Sequence, residues 1–346
     1  MKYFSMFSGI GGFEKGIAQA TNNMWKCIGY SEINKYAIQI YEKHFKEHKN
    51  YGNATRINTK ELPEFDMLVG GFPCQAFSIA GKRRGFDDSR GTLFFEVARI
   101  LRDKRPKYFL LENVKGLLSH EDGKTIKTIL RVLSDLGYNI EWKIFNSKNY
   151  GVAQNRERIF IFGIRKECRR KILFKKRIST KTIPTKKLRE QISNCLRTNY
   201  SNAKSNETYV LQEITKGNSQ GMRVYDTEGI STTIASQAGG LGAKTGLYAM
   251  RGRKKTQQLE KRKDKNTNSL TSVQKDNLYL YNNTIRSLTP LECERLQGFQ
   301  DNWTSGISDT QRYKCLGNAV TVNVIEYIIR GFKKKYEYMG RNSKNV

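Results

Sequence analysis

The sequence predicts an α/β fold built on an open, largely parallel sheet, and three observations predict it. Short apolar runs of strand length alternate with segments of helical spacing between residues 2 and 164. The first run passes directly into Ser8-Gly9-Ile10-Gly11-Gly12-Phe13 and then a helix, which makes a nucleotide-type binding corner. A later run, 65–69, leads into Gly70-Gly71-Phe72-Pro73-Cys74-Gln75. Two glycines and a proline predict a stiff turn there, with one cysteine at its tip, at the edge where such a sheet presents a nucleophile.

Composition narrows the class. A chain of 346 residues holds one large domain or two ordinary ones. A hydrophobic fraction of 38%, with 17 Phe and 18 Tyr, argues against disorder. Lys and Arg number 62 against 32 Asp and Glu, a formal charge of +30. That excess points to a polyanionic partner, nucleic acid before a membrane surface, bound in a salt-dependent way. No apolar run is long enough to span a membrane, and residues 1–7 are too soon broken by glycine to form a signal peptide. The six cysteines show no CxxC spacing, which suits a reduced, cytoplasmic protein. His44 and His48 share a helix face but have no third ligand nearby, so a solvated face is expected rather than a metal site.

In order along the chain, a strand at 2–7 precedes the glycine corner and a helix to about 20. The strand 25–30 ends in Ser31-Glu32, an acid placed to accept hydrogen bonds from ribose hydroxyls. A helix at 34–45 leads to Asn53-Ala54-Thr55 and the strand before Cys74. Residues 80–91 carry glycines, basic residues and two aspartates without periodicity, the pattern of a loop that closes over a substrate. Helical spacing over 92–104 stops before Pro106, and a strand at 108–111 ends in Glu112-Asn113-Val114. A helix at 124–136 and strands at 139–146 and 159–164 complete a seven-element sheet pattern. Between those last strands lies Gln154-Asn155-Arg156-Glu157-Arg158, whose alternate residues share one face of an extended segment.

After Ile164 the character changes. Residues 165–189 hold twelve Lys or Arg against one acid, and the chain to about 281 is rich in Asn, Ser, Thr and Gly, with a strand-like piece at 222–225. A smaller, loop-rich region is expected over 166–304, including a basic, solvated insertion at 251–265. Thr289 as N-cap with Pro290 at the first position marks a helix start. Gly317-Asn318-Ala319-Val320 is read as opening a last helix, whose Val324, Ile325, Ile328 and Ile329 require a core. The first domain is the expected core, so 305–346 should return to 1–165.

Taken together, Phe7-Ser8-Gly9-Ile10-Gly11-Gly12, Gly71-Phe72-Pro73-Cys74-Gln75, Glu112-Asn113-Val114, Gln154 to Arg158, Leu288 to Phe299 and Gly317 to Val320 resemble, in order, the motifs of bacterial DNA cytosine-5 methyltransferases. The likeness covers nearly the whole chain and is strongest to the restriction-modification branch that modifies GCGC. It implies an S-adenosylmethionine-dependent methyltransferase fold, a Rossmann-like mixed sheet with helices on both faces, plus a target-recognition domain. It implies Cys74 as nucleophile, Glu112 as partner of the base's N3, and Arg156 and Arg158 as supports of the base and the loop. S-adenosyl-L-methionine is implied across Phe7, Gly9, Ile10, Gly11, Glu32, Asn53, Phe72, Leu93, Asn318 and Val320. Ser5, Ile33 and Asn53-Ala54 depart from the residues the family often has there, and Asn53 would accept from the adenine amino group through its amide oxygen.

For DNA, the resemblance implies contacts from Gln75, Gln154, Gln220, Arg223, Thr233 and Gly240. Arg223 has the fork that suits guanine, Gln220 would fill the gap left by the flipped cytosine, and Thr233 would hold a phosphate. Implied partners are double-stranded DNA and, in the cell, a cognate restriction endonuclease without a stable complex; the chain itself is expected to be a monomer. An RNA cytosine methyltransferase and a catalytically idle DNA-binding regulator are the rival readings. The long region after 165 argues against the first, and the intact Cys74, Glu112, Arg156 and Arg158 against the second.

Overall fold

The computed structural model describes residues 1–73, 93–168, 247–251, 258–261, 270, 278–281 and 284–342. Cys74, Gln75, the loop 80–91, the strand-like piece at 222–225 and the DNA-reading candidates Gln220, Arg223, Thr233 and Gly240 lie outside them. The chain divides into two compact units. One holds Met1–Phe145, Glu157–Lys176 and Val324–Val346, and the other holds Asn146–Arg156 and Arg177–Asn323.

The first unit is organised on a sheet whose strands are β1 (Lys2–Met6), β2 (Lys26–Ser31), β3 (Met67–Gly71), β4 (Tyr108–Val114), β5 (Tyr138–Asn146) and β6 (Glu157–Arg165). Its order is β2-β1-β3-β4-β6-β5, so six strands take the place of the seven-element pattern. β2, β1, β3 and β4 run parallel, and β6 pairs antiparallel with β4. The chain leaves β1 toward β2 on one side and returns to β3 on the other. That reversal opens a crevice at the carboxyl ends of β1 and β3, where open α/β sheets bind ligands.

Both faces of the sheet are covered, as the period-two alternation requires. Phe4, Met6, Leu68, Phe109, Leu111, Ile159 and Ile161 join one buried cluster with Phe94, Val97 and Leu101 of α3 (Leu93–Lys104) and Ile126, Ile129 and Leu133 of α4 (Lys124–Asp135). The alternate residues face the other way, beside α1 (Gly12–Thr21), α2 (Lys35–His44) and the C-terminal helix. There the Phe332 ring meets Tyr108, Phe162 and Trp25 at centroid distances of 4.9, 5.5 and 5.6 Å.

Three boundaries differ from the sequence reading, each because a partner sets it. β3 includes Gly70 and Gly71, which pair with Met6 of β1 and with Leu111 and Glu112 of β4 rather than forming the turn. β4 continues through Glu112 to Val114, held by β6 as far as Arg158. Gly317 and Asn318 close a helix, Asp309–Asn318, and the last helix begins only at Val322.

In the second unit, β7 (Leu247–Arg251), β8 (Gln258–Lys261), β9 (Leu278–Tyr281) and β10 (Thr284–Ser287) form an antiparallel sheet in the order β10-β9-β7-β8. Helix α5 (Pro290–Gln297) follows, with Thr289 and Glu292 in a reciprocal capping box and Pro290 at the first position. Helix α6 (Asp309–Asn318) comes next, then α7 (Val322–Asn342), whose residues from Val324 onward belong to the first unit.

Candidate active site

The β1 side of this crevice, with the end of β2 beside it, is built from backbone held in unusual conformations. Phe7, Gly9 and Gly11 all adopt positive φ, at 54°, 56° and 85°. Gly11 caps α1, and a Cβ there would stand 2.4 Å from the Phe45 ring, so both the conformation and the space demand glycine. Among the described residues, a Cβ on Gly9 would meet nothing within 4 Å, so they leave this side of the corner open. Glu32 closes it: one carboxylate oxygen accepts from the Gly9 amide at 2.9 Å, the other from the amides of Ile33 and Asn34, each at 2.9 Å.

A carboxylate has about four lone-pair sites, so three amide donors leave acceptor capacity for a ribose hydroxyl. The open face over Gly9 beside a fixed acid therefore fits a nucleoside-bearing cofactor. Asn50 braces the same acid from outside the predicted set. Its amide donates to the Glu32 carbonyl at 3.2 Å and accepts from the Gly52 amide at 2.8 Å. Asn53 is arranged differently from the expectation. Its amide oxygen accepts from both the amide and the hydroxyl of Thr55, each at 3.0 Å, capping a short 3₁₀ turn. That oxygen is therefore already engaged by Thr55, and an adenine amino group would share it with, or displace, the rotatable hydroxyl. Arg99 of α3 holds the same turn through the carbonyls of Ala54 and Ile57, each at 2.9 Å.

The ends of β3, β4 and β6 carry the second half of this edge. Gly71 stands opposite Glu112 in register, three residues before Cys74. Glu112 forms an ion pair with Arg158, Nε to Oε1 at 3.1 Å, with both side chains largely buried. Burial lowers the Arg158 pKa while the Glu112 carboxylate opposes the shift. Asn113, also buried, donates its amide to the Phe72 carbonyl at 3.0 Å and ties β4 to the segment that leads to the cysteine. Phe72 packs on Phe94, one residue after Leu93 at the start of α3. A carboxylate oriented by a guanidinium is thus fixed beside the strand that precedes Cys74 in sequence.

Gln154 and Arg156 belong to the second unit and are fully buried. The Gln154 amide donates to the Leu296 carbonyl and accepts from the Leu270 amide, both at 2.9 Å. Arg156 donates to the carbonyls of Leu270, Gly317 and Ala319 at 2.9, 3.1 and 2.8 Å. These side chains knit the main chain together and do not present a polar surface. Gln297 lies in the same network and was missed by sequence reasoning; the one signal was a polar side chain in the last turn of a helix, just before Gly298. Asn318 is exposed at the end of α6, and Val320 is buried.

The sheet order and its furnished carboxyl edge define an α/β methyltransferase fold, and solved structures of like fold support it. A DNMT2 mutant from Spodoptera frugiperda aligns with a TM-score of 0.64 over 95% of this chain and 98% of its own, at 16% identity. Dnmt2 methyltransferase from S. pombe aligns at 0.63 over 97% and 99%, with 18% identity. The family model for C-5 cytosine-specific DNA methylases matches residues 1–334, and the chain belongs to that family. Type II methyltransferase M.HhaI from Haemophilus parahaemolyticus is 34% identical over 95% of this chain and 93% of its own. Type II methyltransferase M.HpaII from Haemophilus parainfluenzae is 40% identical over 94% and 87%. The protein is a DNA cytosine-5 methyltransferase. Among the described residues, no helix is long and apolar enough to cross a membrane.

Proposed function

We propose that the chain methylates carbon 5 of a cytosine flipped out of duplex DNA, through a covalent adduct with Cys74, as a cytoplasmic monomer of a restriction-modification system. The observation that carries this reading is the Glu112–Arg158 pair beside the end of β3, three residues before Cys74. Carbon 5 of cytosine is a weak nucleophile. The Cys74 thiolate donates its electron pair to carbon 6, and the C5=C6 π pair then becomes available at carbon 5. Glu112 hydrogen-bonds or protonates ring N3 as charge develops, and Arg158 holds that carboxyl in place. Bound in the glycine corner, S-adenosyl-L-methionine would supply the methyl group to carbon 5, its sulfonium leaving as the neutral thioether S-adenosylhomocysteine. Loss of the carbon 5 proton to a base restores the double bond and expels the thiolate, returning Cys74 to its starting state.

For the cofactor, Glu32 takes the ribose hydroxyls, and Phe7, Gly9, Ile10 and Gly11 line the corner, with Phe72, Leu93, Asn318 and Val320 completing the set. Gln75, Gln220, Arg223, Thr233 and Gly240 contact the DNA, Arg223 reading a guanine. Gln154 and Arg156 support the site through the main chain they hold. Extruding a base costs a few kcal/mol, which the strongly basic surface and phosphate contacts offset. A cognate endonuclease acts on the same word without a stable complex.

Duplex DNA carrying 5-fluorocytosine in its target tests the reading, because fluorine at carbon 5 cannot leave as a proton. The wild-type chain with S-adenosyl-L-methionine should form an adduct stable to denaturation, and Cys74→Ala should bind the duplex without forming it. An adduct that survives that substitution, or trapping on tRNA in place of duplex DNA, would overturn the proposal.

A further inference from the structure

We propose that Gln297 is a positioning residue for the cofactor, acting through the turn Leu316–Thr321 that joins α6 to α7; the inference rests on the reading of Asn318 and Val320 as cofactor contacts. The last carbonyls of any helix lack partners within it. At the end of α6 the Ala319 amide reaches the carbonyls of Cys315 and Leu316, and the remaining needs are met by two buried side chains. Gln297, with no exposed surface, donates its amide to the carbonyls of Leu316 at 2.6 Å and Ala319 at 3.2 Å. Arg156 donates to those of Gly317 and Ala319.

The same Gln297 side chain also accepts, from the Thr321 hydroxyl at 2.9 Å and from the Gln154 amide at 3.3 Å. One amide group therefore grips both ends of the turn, and its hydrogen-bonding capacity is used almost completely. Asn318 stays exposed between these anchors while the carbonyls on either side of it are fixed. A donor buried beside the last carbonyls of a helix and the first one beyond it selects one backbone path out of that helix, because any other path leaves buried polar groups without partners. Helix α5 ends on Gln297, so the position of that side chain is set by α5, and the position of the turn is set by the side chain.

The test is equilibrium binding of S-adenosyl-L-methionine by titration calorimetry, with duplex-DNA affinity, melting temperature and turnover at saturating cofactor measured alongside. Gln297→Leu removes all four bonds and should raise the cofactor Kd about tenfold or more, with DNA Kd changed less than about twofold. Thr321→Val removes one hydroxyl and should raise it about threefold, which keeps the test alive if Gln297→Leu does not fold. Turnover at saturating cofactor should stay close to wild type in both. Glu294→Gln is the control for plain destabilisation. Glu294 is equally buried in the same unit and accepts from Thr304, Asn302 and Arg312, not from the turn, so it should lower the melting temperature and leave cofactor Kd unchanged. Variants that melt earlier but bind cofactor within about twofold of wild type would overturn the inference. A wild-type chain that binds no S-adenosyl-L-methionine would instead overturn the underlying reading of the turn, and the inference with it.

Discussion

Glu14 carries the clearest consequence at the scale of a single residue. It sits in the first turn of α1, 1% exposed, and neither carboxylate oxygen has a hydrogen-bond partner among the described residues. Burial pushes its pKa from 4.5 up to about 7, and the nearby hydroxyls of Ser5 and Tyr41 offset only part of that. A carboxyl whose folded-state pKa is raised binds its proton more tightly in the folded chain. Its contribution to stability is therefore fully present below pH 4.5 and is lost as pH rises through about 7. The loss is on the order of 3 kcal/mol. Glu14→Gln should flatten this part of the stability profile, measured by urea unfolding between pH 4.5 and 7.5. A slope unchanged in the variant would assign it to other groups. The same core pushes the Cys27 thiol up to about 12, so that cysteine is inert packing, in contrast to the role proposed for Cys74.

Elements divide by whether their ends are decided locally. Helix α5 begins where the sequence places it, because a capping box involves only residues three apart: the Thr289 hydroxyl accepts from the Glu292 amide, and Glu292 accepts from the Thr289 amide at 2.7 Å. Thr289→Ala should cost about 1–2 kcal/mol, read as a lower denaturation midpoint, while Thr289→Ser should retain most of it. Strand ends are another matter. Glu112 was read as the residue after β4, yet it lies within it, since the antiparallel partner β6 continues the ladder to Arg158. That pairing also brings Glu112 and Arg158, 46 positions apart in sequence, to 3.1 Å.

At the scale of the molecule, Phe332 of α7 packs against residues of β4 and β6 and against Trp25. The apolar stripe of α7 called for a core, and Phe332 finds one among Trp25, Tyr108 and Phe162. Phe332→Ala removes a ring that is 7% exposed and should cost about 3–5 kcal/mol. Thermal unfolding measures this, and a melting temperature unchanged from wild type would show that the ring is not part of the core. The net charge of +30 acts at this scale too, through salt-dependent attraction to DNA rather than through any one contact.

The sequence by itself determined the strand-turn-helix order, the glycine corner with Glu32 after it, the capped start of α5 and the membership of a methyltransferase family, because each rests on residues close in sequence or on motifs in a fixed order. Tertiary structure decided what side chains touch. Gln154, Arg156 and Arg158 alternate along one extended segment and look equivalent in sequence. Yet Arg158 pairs with Glu112 from within β6, whereas Gln154 and Arg156 are buried and bound to the main chain of Leu270, Leu296 and the turn after α6. Period-two alternation assigns a side chain to a face of the chain, but the partners waiting on that face come from 46 residues away for Arg158 and from more than a hundred for Gln154 and Arg156. Asn53 shows the same limit at shorter range. Its residue type allows an adenine contact, and only the fold reveals that its oxygen is already capping Thr55.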